Sequence, residues 1–417
     1  MRVFTHSGLA LDGSAGILGL VINEEIQYIR GREFEEFLNQ APTVLLIKAG
    51  ISSITSASYL LGLTVFGIPT ALWIYSLKLS MVNNFRFFLV LVAVLTQVLF
   101  SSNFFLPSML ANAVGLLIVL LLVSEENLSR SQSWLLLGLA VVAIRLYETM
   151  MLFSLLGIVI TIVAMRKKEM IIPVRFKLAT LLALCASLLS SAHGLLYPVH
   201  QANLGSGIDL NTIMFHSPFK FFVVTLAVIV SSLFIAIHFP SNIFLNLTSG
   251  LALILCILFV TDNDFQMGAT SHWYLRSSVA LVVIMCAALI AVFHFFKIKS
   301  GDRKLTIYPV FAPVATFTFI VTANSAIGWN NYLYLIENTV NRAPGVMTYG
   351  ELHATEKMDK VYSGSWSTSY MSMVLRHGPN AGVIQNAFPE QVSPDHDADN
   401  LVLVFPVYDK SFPYWRQ

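Results

Sequence analysis

Hydrophobic residues lie along this chain in long runs that short polar segments separate. Each run comes close to the roughly 20 residues that an α-helix needs to cross a bilayer. The runs lie at about 54–77, 87–101, 104–123, 133–147, 149–165, 178–195, 219–239, 242–261, 275–296 and 306–325. The pattern therefore predicts an all-α polytopic membrane protein with about ten transmembrane helices in residues 54–325.

Two more polar regions flank this helical domain. In residues 1–53, the stretch 31–50 combines an acidic patch with an apolar run that is too short to span, which predicts an amphipathic helix lying on the outer membrane interface. In residues 326–417, turn signals separate a predicted helix at 366–377 from a strand-like run at 401–405. The tail is therefore expected to form a small α+β cap.

Composition agrees with a membrane environment and excludes several classes of protein. Hydrophobic residues make up 56% of the 417 residues and charged residues 12%, and the mean hydropathy is +0.71. Ordinary soluble domains carry about twice that charged fraction. A net charge of +2 gives no indication of a nucleic-acid partner. The three cysteines lie in apolar stretches, which predicts neither a disulfide nor a metal cluster.

The basic residues predict the orientation of the helices. One set of short loops carries twelve basic residues and the opposite set carries Arg145, Lys220 and Arg276. Since positive charge collects in cytoplasmic loops, the richer set is predicted to be cytoplasmic and both termini extracytoplasmic. The twelve residues are Lys78, Arg86, Arg130, Arg166, Lys167, Lys168, Arg175, Lys177, Lys297, Lys299, Arg303 and Lys304.

The first fifty residues need a route to that outer side. They lack the charged start, apolar core and cleavage site of a signal peptide. The explanation we favour at this point is an earlier span that precedes residue 1. The alternative is that the first span itself carries the N-terminal segment across.

Three short motifs in this first segment resemble a known superfamily. They are Asp12-Gly13, then Gly31-Arg32-Glu33-Phe34, then Asn39-Gln40-Ala41-Pro42 before the next helix. This order resembles the first external loop of the GT-C membrane glycosyltransferases, which take sugar from a polyprenyl-phosphate carrier. The span expected before Asp12 is absent here, and the tail is shorter than in many members. The rest of the chain is similar in architecture alone.

The resemblance implies that Asp12 is the catalytic base. A carboxylate near the acceptor hydroxyl can take its proton as that hydroxyl attacks the anomeric carbon. Glu24 and Glu25 are the other candidates in the same segment. The alternative for Asp12 is a structural one, a turn with Gly13 in which Asp12 caps a helix that starts at Ser14.

Arg145 and Glu148 stand out because two ionisable groups within apolar sequence are expensive unless they are paired or face a polar cavity. Their spacing allows a local ion pair with each other. The functional alternative is that Arg145 holds the lipid phosphate while Tyr147 or Glu148 contacts the sugar.

The later external loops add candidate substrate contacts at His200, His272 and Arg276. A leaving lipid phosphate needs positive charge or hydrogen-bond donors, and Arg276 has the best position for this role. His272 equally suits simple anchoring at the interface. The acidic run 395–400 could bind a hard cation, but its spacing is not that of an EF-hand, which favours a solvated turn.

The sequence thus predicts a glycosyltransferase of the cell membrane. Its partners would be a polyprenyl-phosphate sugar donor, a glycan or lipid-linked glycan acceptor and membrane lipid, with no nucleic acid. No cofactor is required, because arginine can neutralise a single phosphate, and a divalent cation stays open. The alternatives are an O-antigen-type polymerase or ligase and a non-catalytic transport or scaffold protein. The polymerase reading needs a larger external loop than the one at 195–218.

Overall fold

The computed structural model describes most of the predicted helical domain and small parts of the flanking regions. The described residues are 17, 19–21, 23–28, 32–50, 54–100, 108–124, 128–167, 174–196, 272–296, 308–342, 346–348, 371–372, 374–375 and 383–385. The predicted spans at 219–239 and 242–261 lie outside them, as does the strand-like run 401–405.

Almost all of the described part is α-helical, which confirms the predicted helical class. The elements in chain order are α1 (Glu33–Lys48), α2 (Ile54–Ser80), α3 (Asn84–Phe100), α4 (Ser108–Leu122), α5 (Arg130–Val142), a 3₁₀ turn (Ala143–Arg145), α6 (Met150–Lys167), α7 (Val174–Leu196), α8 (His272–Phe295), α9 (Tyr308–Arg342), β1 (Val346–Thr348) and β2 (Val383–Gln385). The two short strands pair in parallel. The number of membrane spans stays a prediction.

Helix α4 is the centre of the described bundle. Every residue from Ser108 to Leu122 is buried, and the helix packs against α2, α6 and α8. Gly115 makes this packing possible, because a Cβ atom at that position would overlap the buried ring of Phe153 on α6. Around this centre, α6 packs against α7, and α3 packs against α8.

The outward faces of the bundle are apolar. Exposed large side chains recur at helical spacing on α6 (Leu155, Val159, Ile162), on α7 (Leu178, Leu182, Leu189) and on α8 (Leu281, Met285, Leu289, Val292). By length and composition, two described helical segments could cross a membrane, Thr55–Ser80 and Arg175–Gly194. Shorter apolar helices are Phe85–Val98, Ser108–Leu122, Met150–Arg166 and Val279–Phe295. Soluble proteins rarely expose continuous apolar patches, so these faces favour lipid as the surrounding medium.

We expect a nitroxide label at position 182 to lie in hydrocarbon. In a cysteine-free background in lipid nanodiscs, a label on Leu182→Cys should be more accessible to oxygen than to a water-soluble nickel complex, because Leu182 is exposed on an apolar face. A label on Ser131→Cys, an exposed position in the first turn of α5, should show the reverse order. Equal accessibility of the nickel complex at both positions would contradict lipid contact at Leu182.

Some helix boundaries differ from the predicted ones. The last predicted span ends at 325, whereas α9 continues to Arg342, into the predicted tail. The run at 133–147 ends early, since α5 stops at Val142 and a 3₁₀ turn follows. In α9, polar residues end the hydrophobic pattern without ending the helix. In the run at 133–147, polar residues coincide with the end of α5. Residues 371–372 and 374–375 are helical, within the helix predicted at 366–377.

Candidate functional site

The break between α5 and α6 brings three of the predicted site residues together. The chain leaves α-helical geometry at the 3₁₀ turn Ala143–Arg145, and Tyr147 and Glu148 follow this turn before α6 begins at Met150. Two serines of α7 complete the hydrogen bonding of this segment. The Oγ of Ser187 donates to the carbonyl of Ala143 at 2.8 Å, and the Oγ of Ser191 donates to the carbonyl of Tyr147 at 3.4 Å. The turn is thereby held against α7.

Two ion pairs connect this turn to the start of α1. Arg32 donates from both Nε and Nη2 to one oxygen of Glu148, at 3.0 Å and 2.8 Å. Arg145 donates from Nη1 to Oε1 of Glu33 at 2.7 Å. The local pair between Arg145 and Glu148 that their spacing allows is therefore not the arrangement found. Instead, Arg145 pairs with Glu33 and Glu148 pairs with Arg32, so the two partners are adjacent residues of the first segment.

The two pairs differ in burial. The Arg32 side chain is 15% exposed, and its guanidinium lies 4.4 Å from the centre of the Tyr147 ring. Burial alone lowers the pKa of Arg32, but the nearby groups of Tyr147, Glu148 and Glu35 more than reverse this and raise it above its ordinary value. Arg32 is thus a permanent cation. The Arg145 side chain is 56% exposed, so its pair with Glu33 is weakly held.

Glu24 and Glu25 are exposed and lie beside α1. Glu24 adopts a positive φ of 54°. Gln27, two residues after Glu25, is joined to α1, because its backbone N–H donates to Oε1 of Gln40 at 2.8 Å. Its side chain donates to the carbonyl of Gly19 at 3.5 Å. The side chains of the two glutamates reach solvent.

The remaining predicted site residues fall outside what the structure describes, wholly or in part. Asp12 and His200 lie outside the described residues. His272 and Arg276 belong to the first two turns of α8, and their side chains lie outside the described part. The acidic run 395–400 also lies outside. In the described ranges, no three His, Cys, Asp or Glu side chains come together as a group that could hold a metal ion.

Arg32 and Glu33 were not among the residues predicted for the site. They belong to one of the quoted motifs, but the sequence does not show that they contact residues 112 and 116 positions away. A usable signal is the scarcity of charge itself. In a chain with so few ionisable residues in apolar surroundings, Arg145 and Glu148 each require a partner of opposite charge, and the motif at 31–34 supplies one of each sign.

Helix α1 turns its polar face inward. Its first turn contains Glu33, Glu35 and Glu36 and its last turn contains Lys48, which suits the helix dipole at both ends. The buried polar residues are Glu35, Glu36, Asn39, Gln40 and Thr43, whereas Phe34, Phe37, Leu45 and Leu46 are exposed. The helix packs against α2, where the Oγ1 of Thr64 donates to the carbonyl of Asn39 at 2.5 Å.

As far as Thr43, the polarity of α1 is the reverse of that of a helix on a soluble protein, which buries its apolar stripe, whereas its last part buries Val44 and Ile47. A helix with this pattern suits a position between lipid and a polar interior. The ion pairs lie at one end of that polar face and Gln40 lies within it, hydrogen bonded to the carboxylate of Glu36 and to residue 27. The site as a whole is a polar layer, which consists of the two ion pairs and the inward polar face of α1. The outward face of α1 is apolar.

Comparison with known proteins found no matching family model, no matching curated protein and no matching solved structure.

Proposed function

We propose that this protein is a multi-pass membrane glycosyltransferase that moves a sugar from a polyprenyl-phosphate donor to a glycan or lipid-linked acceptor. The transfer takes place on the extracytoplasmic side of the cell membrane. About ten spans form the helical domain. Both termini lie outside, and residues 326–417 form an extracytoplasmic cap.

The observation that carries this proposal is the contact between the first segment and the turn after α5. The motifs that resemble the GT-C superfamily lie in the first segment, and the ionisable residues predicted to contact substrate lie in the turn. Two ion pairs join them, through Arg32 to Glu148 and through Arg145 to Glu33. A single polar site next to an outwardly apolar helix suits a substrate with a polar head and a lipid tail.

The contacts between helix ends support the way in which the proposal groups those ends on two opposite sides. Arg86 at the start of α3 and His294 at the end of α8 are both predicted to lie near the cytoplasmic surface, and Nη2 of Arg86 lies 2.9 Å from Nδ1 of His294. The turn at 145–148 and the start of α1, both predicted to be outside, contact each other at the other end of the helices. Each contact thus joins helix ends or segments that are predicted to lie on the same side of the membrane.

In the proposed mechanism, Asp12 accepts the proton of the acceptor hydroxyl, with Glu24 or Glu25 as the alternative base. Arg145 and Arg276 contact the phosphate, while Tyr147 or Glu148 contacts the sugar, and His200 and His272 are further substrate contacts in the external loops. The phosphate leaves with its negative charge, which positive groups stabilise as the glycosidic bond breaks. A divalent cation is not needed for this step.

The pairing of Arg145 with Glu33 adds a condition to this mechanism. Arg145 directs one of its five N–H donors to that carboxylate, so a phosphate either shares the guanidinium with Glu33 or displaces Glu33 from it. An exposed pair is worth about 0–1 kcal/mol, which a charged phosphate can replace. Arg32 is less suited to the role, because two of its donors are already directed at Glu148 in a more buried position.

The donor class can be tested with the purified protein in nanodiscs. We expect labelled sugar to be transferred from polyprenyl-phosphate sugars to glycan extracted from membranes, whereas the same sugars on nucleotide carriers should give no transfer. The matched control is the protein with Arg145→Gln, in which the phosphate contact is lost and the carrier-linked sugar should be used more slowly. Transfer from the nucleotide sugars alone, or from no donor, would contradict the proposal and favour the polymerase or non-catalytic alternatives.

A further inference from the structure

The carboxylate of Glu148 uses only one of its two oxygens within the described part of the chain. Arg32 directs both Nε and Nη2 to the same atom, Oε1, at 3.0 Å and 2.8 Å. The other oxygen, Oε2, accepts no hydrogen bond from the described residues, and the Glu148 side chain is 28% exposed. Since an ionised carboxylate accepts hydrogen bonds at both oxygens, Glu148 keeps one acceptor for a partner from outside the fold.

Arg32 holds this carboxylate in one orientation. The edge of its guanidinium donates to Glu148, and the face of the same group lies 4.4 Å from the centre of the Tyr147 ring. The guanidinium is planar, so these two contacts together fix the plane in which it lies. The orientation of Glu148, and with it the oxygen that is left for a partner, therefore depends on Arg32.

The same contacts make Tyr147 the less suitable of the two residues for a substrate. The Tyr147 side chain is buried, and Arg32 covers one face of its ring. Glu148 is more accessible and lies three positions after Arg145, whose side chain is 56% exposed. In a lipid-phosphate sugar the phosphate is bonded directly to the sugar. A phosphate at Arg145 would thus bring the sugar close to Glu148.

We propose that Glu148 accepts a hydrogen bond through Oε2 from a hydroxyl of the transferred sugar, and that Arg32 is the positioning residue that leaves this oxygen available. A hydroxyl can donate this bond, and bonds to an ionised acceptor are about twice as strong as those between neutral groups. This inference rests on the proposed glycosyl transfer. It selects Glu148 over Tyr147 as the sugar contact and gives Arg32 a role in substrate selection.

Donors that lack one hydroxyl test this role. The probes are polyprenyl-phosphate glucose, galactose, mannose and arabinose, each intact and with single ring hydroxyls replaced by hydrogen, and kcat/KM is measured in nanodiscs. For the sugar that is transferred fastest, the wild type should prefer the intact donor over one deoxy form by about 10- to 100-fold, the effect of a hydrogen bond to a charged group.

Arg32→Lys should reduce this preference to about threefold or less. Lysine keeps a positive charge beside Glu148, but it cannot place two fixed donors on one oxygen and a flat face on the Tyr147 ring. Glu148→Ala should abolish the preference for the same hydroxyl, because the acceptor itself is removed. Comparing intact with deoxy donor within each variant cancels the intrinsic reactivity of the deoxy sugar.

The matched control is Arg86→Lys on α3, the same substitution at another buried arginine, which lies beside His294. It should keep the wild-type preference. If Arg32 only stabilised the fold, Arg32→Lys would lower the rates with all donors equally and leave the preference unchanged. That result, or a wild type that does not distinguish any deoxy donor, overturns the inference while transfer itself still stands. No transfer from any intact donor would refute the glycosyltransferase proposal and the inference with it.

Discussion

Asp12→Asn is expected to lower the initial rate of sugar transfer by about 100-fold or more, the usual contribution of a general base. The amide keeps the size and hydrogen-bonding geometry of the carboxylate but cannot accept the acceptor's proton. The KM for the donor should change little, because Asp12 is proposed to act on the acceptor hydroxyl. The measurement is the initial rate of label transfer in nanodiscs across a range of donor concentrations.

Glu24→Gln and Glu25→Gln are the comparison variants for this experiment. They remove one carboxylate each from the same first segment, where both side chains are exposed. If Asp12 is the base, each should retain most of the wild-type rate. An active Asp12→Asn protein with a loss in one of the two glutamine variants would move the base to that glutamate. Activity in all three would leave no base in this segment.

Gly115→Val is expected to destabilise the helical bundle by about 3 kcal/mol, near the upper end of the usual effect of overpacking. A Cβ atom at residue 115 would overlap the ring of Phe153, which is buried and has little room to move. The valine therefore forces α4 and α6 apart at the centre of the bundle. The measurement is the unfolding free energy from denaturant titration in mixed micelles.

Gly138→Ala on α5 is the matched control, because a Cβ at that position has no atom within 4 Å. It should leave stability unchanged or raise it by up to about 1 kcal/mol, since alanine is a better helix former than glycine. Phe153→Leu should partly restore the Gly115→Val protein by freeing space. Unfolding of Gly115→Val at the wild-type midpoint would contradict the close packing of α4 against α6.

The helices of the bundle could be predicted because hydropathy is a property of consecutive residues. The runs at 87–101, 104–123 and 178–195 correspond to α3, α4 and α7 within a few residues at each end. The end of α9 could not be found in this way. Its second half contains Trp329, Asn330 and Asn331, which lower the hydropathy without breaking the helix.

Three residues of the candidate site could be singled out from the sequence, whereas Arg32, Glu33 and the contacts that they make could not. Arg145 and Glu148 stand out by their cost in apolar surroundings, and Tyr147 lies between them. Their choice of partners depends on how α1 docks, which no local pattern reports. The inward polar face of α1 is similar, because an amphipathic helix shows two faces in the sequence but not which of them is buried. The site roles of Asp12, His200, His272 and Arg276 stay predictions from sequence, because these residues or their side chains lie outside the described part.

The long sequence separation of the two ion pairs also determines when they can form during synthesis. Glu148 lies 116 residues after Arg32, so the partner does not yet exist when α1 leaves the ribosome. At synthesis rates of about 5 to 20 residues per second, the delay is about 6 to 23 s. Helix α1 can pack against α2 as soon as α2 has been made, but the two ion pairs can form only after α5 and its following turn have been synthesised. The ion pairs are therefore later contacts of the first segment than its packing against α2.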